Sequence, residues 1–396
     1  MKLLVIGAGF SGAVLARQLA ESLQCRIDVW DERSHIGGNC HTERDPATGV
    51  MVHQYGPHIF NTDNDRVWKY VQEFGDFRPF VNRVKAVTTK GVFSMPINLL
   101  TINQFFGRAM SPDEAREFVA SLGDQTIKEP ANFEEQAMKM LGRDLYETFF
   151  KGYTIKQWGC DPRELPASVL KRLPVRFNYD DNYYNKKYQG IPAEGYSEVI
   201  SKILDHPLVT VQIGKRFAPE QTLALSQDYA HLFYTGPLDA FFGHREGRLG
   251  YRTVLFEKIE TEAEDYQGNA VVNYPDMSVP YTRVHEHKHF APWEKHDKTS
   301  AYKEFSKETE EGDVPYYPKR LASDKAILAK YRVLGEETAS GARSHGQMGL
   351  SFLGRLATYR YMDMETVIGE ALEFSDKFIA SWQAKQPLPV FPNSES

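Results

Sequence analysis

The feature that most constrains this chain is a glycine-rich turn that follows a short apolar segment near its start. Residues 2–6 predict a buried strand, and the sequence GAGFSG occupies residues 7–12 directly after it. Residues 11–22 have the apolar spacing of an amphipathic helix, and residues 26–30 predict a second strand. A G-x-G-x-x-G turn between a strand and a helix is typical of dinucleotide-binding βαβ units. The pattern therefore predicts an α/β fold that opens with such a unit.

Each glycine of this turn has a physical task. Gly7 allows the tight turn, Gly9 lets a pyrophosphate approach the backbone, and Gly12 allows the helix to pack closely on the strand. The phosphates would lie at the helix N-terminus, where unpaired N–H groups and the helix dipole favour an anion. Asp31 ends the second predicted strand, where a carboxylate can accept hydrogen bonds from ribose hydroxyls. These residues predict dinucleotide binding but do not distinguish NAD from FAD.

The segment after Asp31 favours FAD. Gly37 and Gly38 follow the acidic residue closely, and a glycine pair allows a second close approach between backbone and cofactor. This pair resembles the second glycine motif of the glutathione-reductase-like flavoproteins. We therefore predict a glutathione-reductase-like, Rossmann-type FAD domain.

Composition excludes several classes of protein. The net charge of −6 offers no basic field for a nucleic acid partner. Three cysteines without a C-x-x-C pair argue against secretion and structural zinc, and no apolar run reaches the roughly 18 residues of a membrane helix. We expect a cytoplasmic protein without membrane insertion. No G-x-S-x-G, H-E-x-x-H or P-loop motif occurs, so the cofactor is expected to supply the difficult chemistry.

The order of predicted elements indicates a discontinuous organisation. We expect an FAD-binding α/β domain from residues 1–80, 195–245 and 320–396, a helical insertion at 100–165, and an antiparallel substrate-binding sheet from 81–99, 166–194 and 246–319. Predicted elements include a hairpin at 82–96, strands at 232–234 and across 250–292, and helices at 133–141, 320–335 and 364–384. Prolines and glycines predict loops over 151–190, with a mobile loop near 162–174.

Four longer motifs narrow the comparison to one family. They are IGGN at 36–39, YGPHIF at 55–60, GYTIKQWG at 152–159 and GRLATYRYMDM at 354–364. In this order they resemble the bacterial UDP-galactopyranose mutase family, and the resemblance runs almost from end to end. One departure stands at Asn61, where the family pattern leads us to expect a second histidine shortly after His58.

The resemblance implies an isomerase that interconverts UDP-galactopyranose and UDP-galactofuranose without net oxidation. It implies reduced FAD as cofactor, with flavin N5 as the nucleophile, an external reductant for the flavin, and a homo-oligomer. The alternative is a flavin amine-oxidase-like or desaturase-like oxidoreductase, because these proteins share the opening motif. A flavin-bound structural or sensor protein is a more remote alternative.

The resemblance also implies roles for individual residues, and their chemistry agrees with those roles. Guanidinium groups suit a diphosphate, aromatic rings suit a uracil, and phenols donate to phosphate oxygens. The residues assigned to catalysis are His58, Arg172 and Arg355. Those assigned to the substrate are Phe149, Phe150, Tyr153, Thr154, Trp158, Arg172, Asn178, Tyr183, Arg252, Tyr317, Arg355 and Tyr361. Those assigned to the cofactor are Gly7, Gly9, Phe10, Ser11, Gly12, Asp31, Glu32, Arg33, Gly38, Asn39, His58, Arg283, Arg355, Tyr361, Met362 and Asp363. Arg172 and Arg355 are expected to clamp the diphosphate from opposite sides.

Two further patterns are interpreted as incidental. His285, His287 and His289 alternate, so in a strand they would share one side and imitate a metal site. No partner acid or fourth ligand is marked, so we expect polar surface and no metal. Cys160 has no identifiable activating base and is expected to be structural.

Overall fold

The computed structural model describes residues 2–172 and 175–392, without the side chains of residues 171, 172 and 322. The strands are β1 Lys2–Ile6, β2 Arg26–Trp30, β3 Thr42–Arg44, β4 Met51–His53, β5 Phe60–Thr62, β6 Phe77–Pro79, β7 Val84–Thr88, β8 Gly91–Met95, β9 Tyr188–Pro192, β10 Val209–Gln212, β11 His231–Tyr234, β12 Tyr251–Ile259, β13 Val271–Asn273, β14 Arg283–Glu286, β15 Ala301–Glu308, β16 Tyr317–Pro318 and β17 Gly349–Phe352. The helices are α1 Phe10–Leu23, α2 Asp65–Gln72, α3 Leu99–Phe106, α4 Pro112–Leu122, α5 Phe133–Leu145, α6 Gly152–Trp158, α7 Gly195–Leu204, α8 Thr222–Leu225, α9 Leu238–Phe241, α10 Ala322–Ser344, α11 Gly354–Ala357 and α12 Met364–Gln383.

A five-stranded parallel sheet forms the dinucleotide-type part of the fold. Its strand order is β10-β2-β1-β11-β17, and β1 pairs with β2 on one side and with β11 on the other. Leu3 and Val5 face a cluster that includes residues of α1, α7 and α12, whereas Leu4 faces a second cluster on the opposite side. Both faces of the sheet are therefore buried, as parallel sheets require. The chain leaves β1 where the strand order reverses, which is the usual ligand edge of such sheets.

A second sheet of seven strands has the order β16-β12-β15-β14-β13-β7-β8. All neighbours in it are antiparallel except β7 and β13, which pair in parallel. The expected antiparallel sheet is thus a mixed sheet. The parallel pair arises because β7 comes from the first quarter of the chain and β13 from a segment almost 190 residues later.

Helices α3 to α6 follow β8 in the sequence and pack together. Their buried side chains include Phe133, Leu141 and Leu145 of α5 and form a cluster with residues of β7 and β8. Residues 146–151 continue α5 as a π-helical segment into α6. The loops expected over 151–190 therefore begin with a helix, because the glycine at 152 is accommodated inside it with helical backbone angles.

Most predicted elements of the opening unit and the C-terminal part are confirmed. The predicted strands at 2–6 and 26–30 match β1 and β2, and the helix at 364–384 matches α12 within one residue. The predicted helix at 320–335 is longer, since α10 continues to Ser344, and α5 extends past Leu141 through a kink at Gly142. No helix among the described residues is long and apolar enough to cross a membrane.

The expectation of a polar histidine surface is wrong for two of the three histidines. The histidine series does not lie along one strand, since β14 ends at Glu286 and residues 287–290 form a 3₁₀ turn. His285 and His287 are buried, whereas His289 is partly exposed and lies 3.2 Å from Asp265 and 3.4 Å from Glu286. His285 and His287 are therefore not polar surface, whereas His289 lies partly exposed beside two carboxylates.

The predicted mobile loop near 162–174 is anchored over its first part. Pro162, Leu165 and Leu170 are buried, and the backbone N–H of Phe133 donates to the carbonyl of Leu165 at 2.9 Å. A hinge at Pro162 would therefore have to break this packing on α5. The side chains of Lys171 and Arg172 and all of residues 173–174 lie outside the described residues, so the predicted position of the Arg172 guanidinium lies outside them too.

Candidate active site

The glycine turn after β1 leaves the first turn of α1 open to a ligand. Gly7 has φ of +108°, and a Cβ at Gly12 would lie 1.9 Å from the Gly7 carbonyl oxygen. Gly9 precedes α1 without a side-chain hydrogen bond to the helix N-terminus, and a Cβ there would meet nothing closer than 3.7 Å. The N–H groups at the start of a 14-residue helix are thus available to an anion.

The second glycine motif meets the first one directly. The N–H of Gly37 donates to the carbonyl of Ala8 at 2.9 Å, and a Cβ at Gly38 would lie 3.3 Å from the Gly9 Cα. The Asp31 carboxylate is buried and accepts the N–H of Ala8 at 2.8 Å. The two motifs therefore form one backbone cradle. Asp31 stabilises the first glycine turn and is also predicted to bind the ribose of the ligand.

Arg33 and Asn39 lie at the edge of this cradle. Arg33 Nη2 donates to Asn39 Oδ1 at 2.9 Å, and its guanidinium lies 4.6 Å from the centre of the Tyr55 ring. The other terminal nitrogen, Nη1, is buried and has no hydrogen-bond partner among the described residues. Glu32 points away, with its side chain 69% exposed and 3.9 Å from Arg216. Arg33 is therefore better placed than Glu32 to bind a ligand, because its free Nη1 can donate to a hydrogen-bond acceptor.

His58 is held as a neutral imidazole. Its Nδ1 lies 2.7 Å from the carbonyl oxygen of Gly56, which can only accept, so Nδ1 carries the proton and Nε2 keeps a lone pair. The pKa of His58 is lowered to about 4, mainly by burial and also by the nearby Arg355 and Arg283, although the hydrogen bond to Gly56 opposes this. The backbone N–H of His58 donates to Nδ1 of His53 at 2.9 Å, which fixes the loop that carries it.

Arg355 is the most informative side chain of the site. Its guanidinium lies 5.1 Å from the Tyr317 ring centre and 5.0 Å from that of Tyr361. Nη1 donates to the carbonyl of Met362 at 3.4 Å, whereas Nε and Nη2 are buried without a partner among the described residues. A buried guanidinium with two unused donors is costly, so this position suits an anionic or strongly accepting ligand group.

The position of Arg355 connects it to the dinucleotide cradle. The preceding Gly354 has φ of +85°, and a Cβ there would lie 2.5 Å from Ser11 Oγ in the first turn of α1. Helix α11 therefore approaches the start of α1 closely. Ser11 and Phe10 are themselves buried, and Phe10 packs its ring edge against Tyr196.

A partly buried ion pair lies near Arg355, since Arg283 and Arg355 both act on the pKa of His58 and of Tyr317. Arg283, at the start of β14, donates through Nε to Glu304 of β15 at 2.7 Å, and Glu304 is almost fully buried. The hydroxyl of Thr282 donates to the Glu304 carbonyl at 3.1 Å. His285 Nε2 also lies 3.2 Å from the same carboxylate, although neither of its ring nitrogens has hydrogen-bond geometry. Glu304 was not anticipated from sequence, since an isolated glutamate in a strand carries no signal.

Several phenols surround the two arginines. Burial raises the pKa of Tyr153 and Tyr183, and in both the nearby Arg283 opposes this shift. Burial raises the pKa of Tyr317 to about 12, with a further contribution from Tyr361, and it also raises that of Tyr184. These phenols therefore keep their protons near neutral pH and can donate hydrogen bonds. Tyr184 was not among the predicted site residues.

Other predicted substrate residues have different surroundings. Phe149 is buried and packs against Phe93 and Phe105, with ring centres 5.3 and 5.4 Å away, and Phe150 is also buried. Thr154 is buried on α6, and Trp158 packs on the cluster formed by α3 to α6. These contacts support a core role for Phe149.

Arg252 and Asn178 are occupied within the chain. The Arg252 guanidinium donates to the Gln157 carbonyl at 3.1 Å, to Ser306 Oγ at 3.1 Å and to Glu308 at 3.1 Å. A cation at the carboxyl end of a helix stabilises that end, so Arg252 braces α6. Asn178 Oδ1 accepts the N–H of Asp180 at 3.1 Å within a turn.

The remaining predicted residues lie at the start of α12 or near α6. Met362 is buried, and Asp363 caps α12 by accepting the N–H of Thr366 at 3.2 Å. Burial raises the pKa of the Cys160 thiol, and the neighbouring Glu164 raises it further, so this thiol is a poor nucleophile. Asn61 lies on β5 and donates to the carbonyl of Ile59 at 3.1 Å.

These observations fit a dinucleotide cofactor. The cradle of Gly9 and Gly38, the open start of α1 and the unused donors of Arg33 and Arg355 lie close together, since Gly354 approaches Ser11 and both arginines act on the pKa of Cys40. The arrangement offers donors to anionic groups and offers no activated protein nucleophile among the residues described above. Chemistry at this site therefore suits a bound redox cofactor and a phosphorylated ligand.

Comparison with known proteins gives consistent results. A family model described as UDP-galactopyranose mutase matches residues 148–361, and one described as an NAD(P)-binding Rossmann-like domain matches residues 5–74. The chain is 53% identical to a probable UDP-galactopyranose mutase of Klebsiella pneumoniae over 98% of this chain and 97% of that protein. It is 50% identical to a dTDP-fucopyranose mutase of Escherichia coli over 96% of this chain and 98% of that protein.

Solved structures show the same fold at low sequence identity. A crystal structure of reduced UDP-galactopyranose mutase aligns with a TM-score of 0.71 at 15% identity, covering 99% of both chains. A putative protoporphyrinogen oxidase from Exiguobacterium aligns with a TM-score of 0.59 at 11% identity, covering 97% of this chain and 99% of that one.

Proposed function

The chain belongs to the UDP-galactopyranose mutase family, and we propose that it isomerises UDP-galactopyranose and UDP-galactofuranose reversibly, using bound reduced FAD and without net oxidation. The observation that carries this proposal is the buried Arg355 guanidinium, with two unused donors, packed beside the dinucleotide cradle. A diphosphate needs such donors, and UDP-galactopyranose carries one in addition to the diphosphate of FAD, whereas an amine substrate carries none.

When bound, reduced FAD would supply a nucleophilic ring nitrogen for the anomeric carbon. The chain's own residues would hold the cofactor: the start of α1 and Gly9 would receive the pyrophosphate, Asp31 the ribose, and Arg33 a phosphate oxygen. His58, with a lone pair on Nε2, can accept a hydrogen bond there without adding charge. A neutral imidazole suits a site in which two cationic guanidinium groups already lie nearby.

The arginines are proposed to stabilise charge as the bond between sugar and diphosphate breaks. Arg355 would donate to the diphosphate from one side and Arg172 from the other, the latter by its match to the family motif. Arg283 is paired with Glu304, so it adds a directed donor with little net charge. Protonated phenols, Tyr183 and Tyr317 among them, can complete the donor set and exclude water.

We also propose the domain organisation expected from sequence, with the FAD domain built from 1–80, 195–245 and 320–396. The strands of the five-stranded sheet all come from these ranges, which supports the proposal. We also propose, from the family resemblance, that an external reductant reduces the flavin and that the protein forms a homo-oligomer.

The decisive experiment is incubation of dithionite-reduced protein with UDP-galactofuranose, followed by chromatography of the nucleotide sugars. Formation of UDP-galactopyranose, with the flavin still reduced after many turnovers, would support the mutase. An oxidoreductase would instead change the flavin redox state with each turnover. Reconstitution with 5-deaza-FAD, which lacks the attacking nitrogen, should abolish the isomerisation, and full activity with that analogue would contradict the mechanism.

The similarity to the dTDP-fucopyranose mutase supports a second candidate substrate. The two relatives differ by only three percentage points in identity to this chain, and both comparisons cover nearly all of it. Thymine carries a methyl group that uracil lacks, and fucose lacks the 6-hydroxyl of galactose. Parallel assays with dTDP-fucofuranose, compared by kcat/KM, decide between the two nucleotide sugars.

A further inference from the structure

Lys156 on α6 extends its ammonium group into the loop that joins β13 to β14. Its Nζ donates to four backbone carbonyls of that loop at 2.5, 2.9, 2.9 and 2.9 Å. The acceptors belong to Tyr274, Asp276, Val279 and Tyr281. An ammonium has three protons, so one of these bonds is shared, and the loop is folded around the charge.

The environment of this ammonium is unusual for a lysine. Burial lowers the pKa of Lys156 to about 8, while the neighbouring Asp276 raises it. A cation taken out of water is costly unless it is fully hydrogen-bonded. Here carbonyl oxygens provide that compensation, which makes the conformation of the loop depend on the lysine.

A second contact joins the same helix face to the same loop. Gly152 lies one turn before Lys156, and a Cβ at Gly152 would lie 2.2 Å from the Pro275 carbonyl oxygen. The helix backbone therefore touches the loop at one point, and the lysine holds it at another. Two separate points of attachment fix the orientation of the loop relative to α6.

The strands on both sides of the loop lead into the active site. Asn273 ends β13 and Arg283 begins β14, and these two residues are paired in register. Helix α6 carries Tyr153, whose pKa responds to the nearby Arg283. The loop is further tied to the sheet, since the N–H of Thr282 donates to the carbonyl of Glu304 at 2.9 Å.

We propose that Lys156 is a positioning residue, whose ammonium fixes the β13–β14 hairpin on α6 and thereby sets the separation of Arg283 and Tyr153 around the substrate. The effect on turnover rests on the proposed function, whereas the attachment of the loop does not. Lys156 lies within the GYTIKQWG motif at residues 152–159, but the carbonyls that bind its ammonium come from residues more than 100 positions later in the chain.

The experiment compares Lys156→Ala and Lys156→Arg with Lys151→Met, which removes an exposed lysine five residues earlier. Flavin content, kcat and KM with UDP-galactofuranose, and amide hydrogen exchange of residues 274–282 are measured for each protein. For Lys156→Ala we expect kcat/KM to fall roughly 10- to 100-fold, the scale for a misplaced catalytic group, with normal flavin content. Exchange of the 274–282 amides should accelerate, while Lys151→Met should behave as the unaltered protein.

Rescue by small amines separates positioning from a general loss of stability. Propylammonium or ethylammonium can place an N–H donor cation among the four carbonyls of Lys156→Ala and should restore kcat/KM and slow the exchange. Tetramethylammonium carries the same charge without N–H donors and should restore neither. Lys156→Arg keeps the charge and donors in a larger planar group, so partial activity is expected.

Unchanged kcat/KM and unchanged exchange in Lys156→Ala would overturn the proposal, and so would a loss of activity that tetramethylammonium restores equally well. If Lys156→Ala does not fold, Lys156→Gln decides the matter: faster exchange at 274–282 supports the proposal, and unaltered exchange contradicts it. If the unaltered protein turns over neither nucleotide sugar, the proposed function fails, yet the exchange measurements still test the attachment of the loop.

Discussion

Acidification from pH 7 to pH 5.5 should destabilise this protein through buried neutral histidines. Burial is the main cause that strongly lowers the pKa of five of them, to about 4 for His58, to about 3 for His231 and His287, and well below the ordinary value for His53 and His285. Burial also lowers the pKa of the partly buried His41. Unfolding exposes them to water, where a histidine has a pKa near 6.5. Below about pH 6.5 these histidines therefore bind protons in the unfolded chain but not in the folded chain.

The sign and size of the effect follow from this difference. Because the folded pKa is depressed, the stabilisation is present above about pH 6.5 and is lost progressively as the pH falls toward the folded value. Between pH 7 and pH 5.5 each such histidine costs about 1.3 kcal/mol of unfolding free energy, so five cost about 6 kcal/mol. Glu286 raises the pKa of His289 and thus opposes this loss by a part. A change of this size is a large share of the free energy of unfolding of a typical protein, about 5–15 kcal/mol.

The assay is urea unfolding at saturating FAD, followed by tryptophan fluorescence at pH 7, 6.25 and 5.5. His231 offers a single-site test because it lies on β11, where Nε2 contacts Ser351 Oγ at 2.8 Å. His231→Gln should reduce the pH-dependent loss by about 1.3 kcal/mol, with His345→Gln as an exposed control. Equal unfolding free energies at pH 7 and 5.5, or a His231→Gln protein with unaltered pH dependence, would refute the reasoning.

Three further predictions concern cofactor and substrate. Gly12→Ala should purify without flavin, because its Cβ would lie 1.9 Å from the Gly7 carbonyl oxygen, and a yellow variant with a normal flavin absorbance ratio would contradict this. Arg355→Ala should lower kcat/KM by roughly two to three powers of ten and retain its flavin, because a loss of this size is typical when one charge-stabilising donor is removed. Loss of FAD from this variant would instead assign Arg355 to cofactor binding. Arg172→Ala should show a similar loss of kcat/KM in the same assay. Arg172→Lys should recover only part of that loss, because lysine keeps the charge but not the planar arrangement of donors. Near-normal turnover in both alanine variants would contradict the proposed diphosphate clamp.

The opening βαβ unit was predictable because its signals are local. A strand, three glycines and an acidic residue stand within 30 residues, and each acts on neighbours in the chain. Pairing between distant strands left no such signal. The parallel pairing of β7 with β13 depends on how two remote segments meet, so the mixed character of the larger sheet was missed.

The site shows the same division between local and distant effects. The family motifs predicted Arg355 and His58 as site residues, but the sequence does not state what a buried side chain contacts. Arg252 was expected at the substrate, whereas its guanidinium holds the end of α6. Glu304 and Lys156 were missed as site residues, because a carboxylate or an ammonium gains its role from partners more than 20 residues away.

The discontinuous sheet has a consequence for how the chain is made. Its central strand β1 lies between β2 and β11, and the edge next to β11 is closed only by β17 at residues 349–352. During synthesis the first 230 residues emerge before β11 is available, and Arg355 follows β17 by a few residues. Pairings over such sequence distances form late and slowly. A nascent chain therefore lacks Arg355 and keeps an unpaired strand edge until nearly all of it has left the ribosome, and an unpaired edge of this kind is prone to aggregation.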